Sequence, residues 1–174
     1  SYPGVEHIVL SNISLNISRG QAIGIIGVSG SGKSTLIDLI LGLLAPDSGE
    51  INIDKYNINQ NLDNWQMQIG YVPQTIYLND DTLRRNIAFG LKDEFIEDSK
   101  MEKAIVDSQL KDFVDSLPDG LETKVGERGV RLSGGQVQRI GIARALYNKP
   151  SILILDEATS SLDAENEEEV MKAI

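Results

Sequence analysis

Apolar residues run almost without a break through residues 22–28 (AIGIIGV) and again through 151–155 (SILIL). Both runs are short and rich in β-branched residues, the pattern of strands covered on both faces of a parallel sheet. Residues 12–17 (NISLNI) alternate polar and apolar positions, as a half-buried strand does. Shorter strands are expected near Ile51 (INID) and Ile69 (IGYV). A helix over 34–44 is apolar nearly all round and is expected to pack deep. A second, over 99–117, opens with Ser99 and Glu102 at capping-box spacing. Its stripe of Ile105, Val106, Leu110, Phe113, Val114 and Leu117 ends at Pro118-Asp119-Gly120. A third helix is expected over 133–147 and a last one after Asp163. Trp65 and Phe113 are read as core. Strands cluster towards both ends and helices in the middle, around 80–147, which predicts an α/β core with a helical insertion.

The chain has 174 residues, 41% hydrophobic and 24% charged, which suits one soluble domain with a sizeable core. Sixteen basic residues against 26 acidic ones leave a net charge of −10, so a grip on nucleic acid or anionic lipid through bulk charge is not expected. Part of the excess is the run DAENEEEV, read as a solvated helix face. With no cysteine, disulfides are excluded. The strongest apolar run, 36–45, is broken by Asp38 and is too short to cross a bilayer, so no direct membrane insertion of this segment is expected.

The chemistry begins at residues 27–35, GVSGSGKST, where a buried strand should pass through a glycine-rich loop into a helix. Gly27, Gly30 and Gly32 carry no side chains, so backbone N–H groups can converge on phosphate oxygens. The helix start adds its positive dipole end. Lys33 can reach the outer phosphates, and the Ser34 hydroxyl can ligate Mg²⁺. A glycine-rich turn with an incidental lysine is the alternative, and the full spacing argues against it. Asp156 and Glu157 leave the run 152–155 at its carboxyl end, the edge where open parallel sheets bind ligands. Asp156 suits the outer shell of Mg²⁺, and Glu157 suits a general base for an attacking water.

A second glycine-rich helix start, LSGGQ at residues 132–136, resembles the signature motif of ATP-binding cassette (ABC) proteins. GVSGSGKST, YVPQ ending at Gln74, LSGGQ, ILILDEATS and SSLD stand in that family's order, across essentially the whole chain. The resemblance implies a P-loop NTPase core of mainly parallel sheet flanked by helices. It also implies an N-terminal antiparallel β subdomain and an inserted helical subdomain. Two such domains would pair head to tail around two ATP molecules. Tyr2, stacked on adenine, with Gly27, Ser29, Gly30, Ser31, Gly32, Lys33, Ser34 and Thr35 would then hold ATP and Mg²⁺ in one copy. Ser133, Gly134, Gly135 and Gln136 of the other copy would close on the γ-phosphate, with Asp163 at the seam. Gln74 would join Glu157 and Lys33 in catalysis, and Ser34, Gln74 and Asp156 would be the metal ligands.

VGERG at 125–129 and DTLRRNIAFG at 81–90 resemble segments of exporters, placing the domain on the cytoplasmic face of a membrane. Glu127, Arg128 and the Gln74 region would face a transmembrane partner. VGERG argues against an importer subunit. A soluble, non-transport ABC ATPase is the other alternative; Lys33 and Gln136 stand only 103 positions apart with no heptad run between them, which excludes its chromosome-maintenance type. The signature argues against a small-molecule kinase. The family also has a histidine after the Asp163 loop, whereas the one histidine here is His7. The sequence is therefore read as a C-terminally truncated fragment of a longer chain.

Overall fold

The computed structural model describes residues 8–126 and 131–158 together with Glu168 and Lys172. The chain divides into two compact units, residues 1–66 and 67–174.

In the first unit, a glycine-rich loop leads into helix α1, Lys33–Ile40, whose buried residue is Ile37. The helix stops four residues short of the 44 expected, because Gly42 takes the left-handed conformation at φ 70. A Cβ there would run into the side chain of Leu62. The expected deep burial is correspondingly limited to Ile37 and Leu41, and Leu43 is exposed. A hairpin comes next, β1 (Asn52–Ile53) paired antiparallel with β2 (Tyr56–Asn57) in the register Asn52↔Asn57 and Ile53↔Tyr56. Helix α2, Leu62–Gln66, then finishes α1. The Trp65 indole N–H donates to the Ile40 carbonyl at 2.7 Å, and the Gln66 amide donates to Leu41 at 3.1 Å. A helix C-terminus leaves such carbonyls without intrahelical donors. Trp65 is thus core, as its sequence context suggests, with a polar handle as well.

Two expected strands are corrected. Among the described residues, neither 12–17 nor 22–28 enters a ladder, and Ile13, Leu15, Ile26 and Val28 are exposed. An alternating or continuous apolar run supplies the surface of a strand. Its hydrogen bonds must come from a neighbouring segment, and neither run is given one here.

In the second unit, β3 (Ile69–Val72) pairs in parallel with β6 (Ile152–Leu155), in register from Ile69↔Ile152 to Val72↔Leu155. Helix α6, Gly134–Leu146, packs between two apolar clusters. Ile142 and Ala145 join Val72 and Ala158, with Leu153 and Leu155 packed alongside. Ile140, Ala143 and Tyr147 join Leu83, Ile87, Met101, Ile105, Leu110 and Val114 from the helical region. Each of the fully buried Leu and Ile side chains contributes about 1.5–3 kcal/mol relative to exposure. Gly70 lets the helix lie close on β3: a Cβ there would sit 2.6 Å from the Ala145 carbonyl oxygen.

The helical region also departs from expectation. The predicted helix over 99–117 is two, α4 (Asp98–Asp107) and α5 (Lys111–Ser116), with α3 (Leu83–Ile87) preceding them. Gln109 at φ 57 breaks the run and turns Leu110 into full burial. The Ser99–Glu102 capping box is not formed, since α4 starts earlier, from Glu97, without a side-chain cap. Val106 falls off the stripe and is exposed, and Phe113 packs only partly buried against the core. Two short strands, β4 (Asp81–Thr82) and β5 (Lys124–Val125), pair antiparallel beside α3. No described helix is long and apolar enough to cross a membrane.

Candidate functional site

In the first unit, the loop ahead of α1 is bent by Gly30 at φ 78 and Gly32 at φ 92, a conformation that side chains disfavour. The Ser31 N–H donates to the Val28 carbonyl at 3.2 Å, closing the turn. A Cβ at Gly27 would lie 2.5 Å from the Ser31 hydroxyl, and one at Gly32 would lie 2.8 Å from the Leu10 side chain, so a side chain at either place would push a neighbour aside. The Lys33 ammonium curls back to donate to the carbonyls of Gly27 at 2.8 Å and Val28 at 3.1 Å. Ser29, Ser31 and Ser34 are exposed, and Thr35 is half-buried. The first turn of α1 holds no acidic residue to oppose an anion. A lysine, glycines without Cβ atoms and a helix start together form a cradle that fits a polyphosphate.

The second unit gathers a different set. Because Val72 is in register with Leu155, the residues after each strand emerge at the same edge. The ladder runs one bond further, the Asp156 N–H donating to the Val72 carbonyl at 2.9 Å. Gln74 and Glu157 then meet, the glutamine amide donating to the carboxylate at 2.6 Å. Glu157 holds φ 50, a left-handed conformation that costs a non-glycine residue on the order of 1 kcal/mol or more. Beside it stand the Asp156 carboxylate and the Gln74 amide oxygen, hard oxygen donors of the kind Mg²⁺ accepts when water and phosphate supply the rest.

The signature segment is organised by its own helix start. Ser133 caps α6: its hydroxyl accepts from the Gln136 N–H at 3.2 Å, and the Gln136 side chain accepts from the Ser133 N–H at 2.8 Å. This reciprocal box satisfies two first-turn donors. The N–H groups of Gly134 and Gly135 have no partner within the helix. No acid sits in the first turn, and Ser133 and Gly134 are exposed.

The structure therefore brings Gln74, Asp156 and Glu157 together, groups Ser133 to Gln136 at one helix start, and folds 27–35 into a closed loop. Tyr2, Asp163, Glu127 and Arg128 lie outside the described residues. Sequence reading passed over Asn86 and Arg144. Asn86 is 1% exposed, and Arg144 interrupts the apolar half of α6. That interruption, IGIARAL, was the available signal. On the surface, Arg85 pairs with Asp93 and Asp81, and the hydrogen bond it donates to Asp93 holds the guanidinium pKa above its usual value. Arg85 in turn holds the Asp93 carboxyl below the usual range.

A family model described as ABC transporter matches residues 10–160. An ATP-dependent lipid A-core flippase of Thiobacillus denitrificans is 45% identical over 175 residues, covering all of this chain and 30% of the flippase. ABC transporter B family member 21 of Arabidopsis thaliana is 44% identical, covering all of this chain and 13% of that protein. The chain thus spans about a third or less of the length of the curated relatives it matches. A bacterial Atm1-family ABC exporter solved with ATP bound superposes with a TM-score of 0.76 at 38% identity, covering 84% of this chain and 25% of the exporter chain. The match over most of its residues, on the ABC ATPase P-loop fold, means that this chain belongs to the ABC transporter family.

Proposed function

We propose that this chain is the ATP-binding and hydrolysing motor of an exporter or flippase, driven by head-to-tail pairing of two such domains at the cytoplasmic face of a membrane. The observation that carries the reading is the Gln74–Glu157 pair, 2.6 Å apart at the carboxyl ends of two parallel strands. The exporter branch is supported by the flippase and exporter relatives.

In this reading the phosphates of ATP lie on the N–H groups of the 27–35 loop. The Lys33 ammonium exchanges the Gly27 and Val28 carbonyls for phosphate oxygens. Ser34, Gln74 and Asp156 would hold Mg²⁺, which when bound neutralises charge on the phosphates. Glu157 takes a proton from water as the water oxygen attacks the γ-phosphorus and the bond to the ADP oxygen breaks. Gln74 occupies one carboxylate oxygen of Glu157 and leaves the other for the water. Ser133, Gly134, Gly135 and Gln136 of a second copy close on the γ-phosphate, with Asp163 at the seam and Tyr2 on adenine. Residues 80–147 act as the inserted helical subdomain. The Gln74 region, Glu127 and Arg128 meet a transmembrane partner.

The test is Glu157→Gln in the natural full-length chain. ATP should bind as before, phosphate release should fall by roughly 10²-fold or more, and bound ATP should accumulate. Phosphate release at the parent rate would remove Glu157 from the chemistry and the reading with it.

A further inference from the structure

We propose that Arg144 is a positioning residue for ATP hydrolysis: it ties the helix capped by Ser133 to the segment following Gln74, so that both groups of site residues in the second unit are set as one body. The proposal rests on the reading of Gln74 and Glu157 as the hydrolytic pair.

Arg144 lies on α6 between Ala143 and Ala145, both buried. Its guanidinium is spread across two backbone positions of another segment. Nε donates to the Asn86 carbonyl at 2.8 Å, and both terminal nitrogens donate to the Tyr77 carbonyl at 3.2 Å. The flat cation also lies over the Phe89 ring, 4.8 Å from its centre. That geometry draws on properties particular to arginine, a rigid fork of donors and a face that stacks on aromatics.

The segment so held is itself knit together. Asn86 accepts from the Asn79 N–H at 2.9 Å and donates to the carbonyls of Asn79 at 3.0 Å and Thr82 at 3.1 Å. Residues 77–86 therefore behave as a folded strap, fastened to α6 at Arg144. Three residues before its start stands Gln74, whose amide holds Glu157. At the other end of α6, eleven residues back and roughly 16 Å along a stiff helix, stands Ser133 in its capping box. A shift of the Ser133 end is thus carried through Arg144 to the strap and to Gln74.

A purely packing role would not select this side chain. Among the described residues no carboxylate pairs with Arg144, and burial holds its pKa below the ordinary guanidinium value. Even half-buried, a cation gives up part of its hydration, a cost that an apolar residue would not carry. The carbonyls of Tyr77 and Asn86 offset that cost only while the strap stays in place.

The experiment uses the natural full-length chain with Arg144→Lys, Phe89→Leu and Glu157→Gln. Three quantities are measured: kcat for phosphate release, the Kd for Mg-ATP from displacement of a fluorescent ATP analogue, and the melting temperature. Lysine keeps the charge but loses the fork. Arg144→Lys should lower kcat by on the order of 10-fold or more, as misplaced groups do, with Kd and melting temperature close to the parent. Phe89→Leu keeps the fork and removes the ring face, so its kcat should fall less while Kd again holds. If Arg144→Lys does not fold, Phe89→Leu decides by the same split. Unchanged kcat in the folded variants, or a kcat loss that only accompanies a loss of binding or stability, overturns the role of Arg144. Parent-like turnover in Glu157→Gln would instead overturn the hydrolytic reading on which it rests.

Discussion

Gln74 donates its side-chain amide to the Glu157 carboxylate at 2.6 Å, although 83 positions separate them in the chain. The parallel register of Val72 with Leu155 makes the contact, because each residue stands two positions beyond a paired strand end. Glu157 is held there at φ 50 against its own backbone preference. An amide donor keeps one carboxylate oxygen oriented without neutralising the group, as the proposed role of base requires.

Lys33 is bound to two carbonyls of its own loop and should turn to phosphate oxygens when nucleotide arrives. Lys33→Ala should weaken Mg-ATP binding by roughly 10–10²-fold, the scale of one charge-assisted hydrogen bond. The circular dichroism spectrum should be unchanged. Titration calorimetry checks this, and parent-like affinity would refute it.

Ser133 caps α6 and is exposed, so a larger side chain there projects into solvent in a lone copy. Ser133→Arg should leave nucleotide binding by a monomer intact but block ATP-driven pairing on a hydrolysis-dead background. Loss of the cap should cost about 1 kcal/mol of stability. Light scattering after size exclusion reads the outcome, and a normal ATP-dependent dimer would sink the sandwich model.

Gly70→Ala would ordinarily stabilise a strand, since alanine loses less backbone entropy on folding. Here the new Cβ meets the Ala145 carbonyl oxygen at 2.6 Å and Pro150 at 2.8 Å, and the carbonyl belongs to a helix that cannot yield locally. The variant should lose about 1–3 kcal/mol in urea unfolding. A gain in stability would show that α6 lies less tightly on β3 than these distances require.

Asp93 supplies a pH-dependent contribution whose sign is set by Arg85, which holds its carboxyl below the usual range through a hydrogen bond. The folded state therefore binds the proton less readily than the unfolded chain. The stabilisation is present in full above the ordinary carboxylate range and is lost as the pH falls through the lowered value. Asp93→Asn should be less stable than the parent near neutrality, and the difference should vanish in acid. Melting temperatures from neutral to acidic pH test this, and a difference that does not shrink in acid would contradict it.

The features that could be read along the chain are those that depend on neighbours a few residues away. The loop of glycines ending in Lys33, the helix after Ser133, and the short strands at 69–72 and 152–155 each express a local preference: left-handed turns, a helix start, or β-branched runs. Asp156 and Glu157 could be placed at the sheet edge because a strand ending at Leu155 must deliver its next two residues there. The sequence could not say which strand lies beside which. That alone brought Gln74 to Glu157, and it left residues 12–17 and 22–28 without ladders. Nor could it show that Gln109 breaks the helix over 99–117, since the turn is held by Leu110 entering a core built from other segments. Asn86 and Arg144 read as ordinary polar residues until folding enclosed the first and half-buried the second. The carbonyls that satisfy Arg144 lie 58 and 67 positions away, and only tertiary packing, where buried polar groups must find partners, decides such pairings.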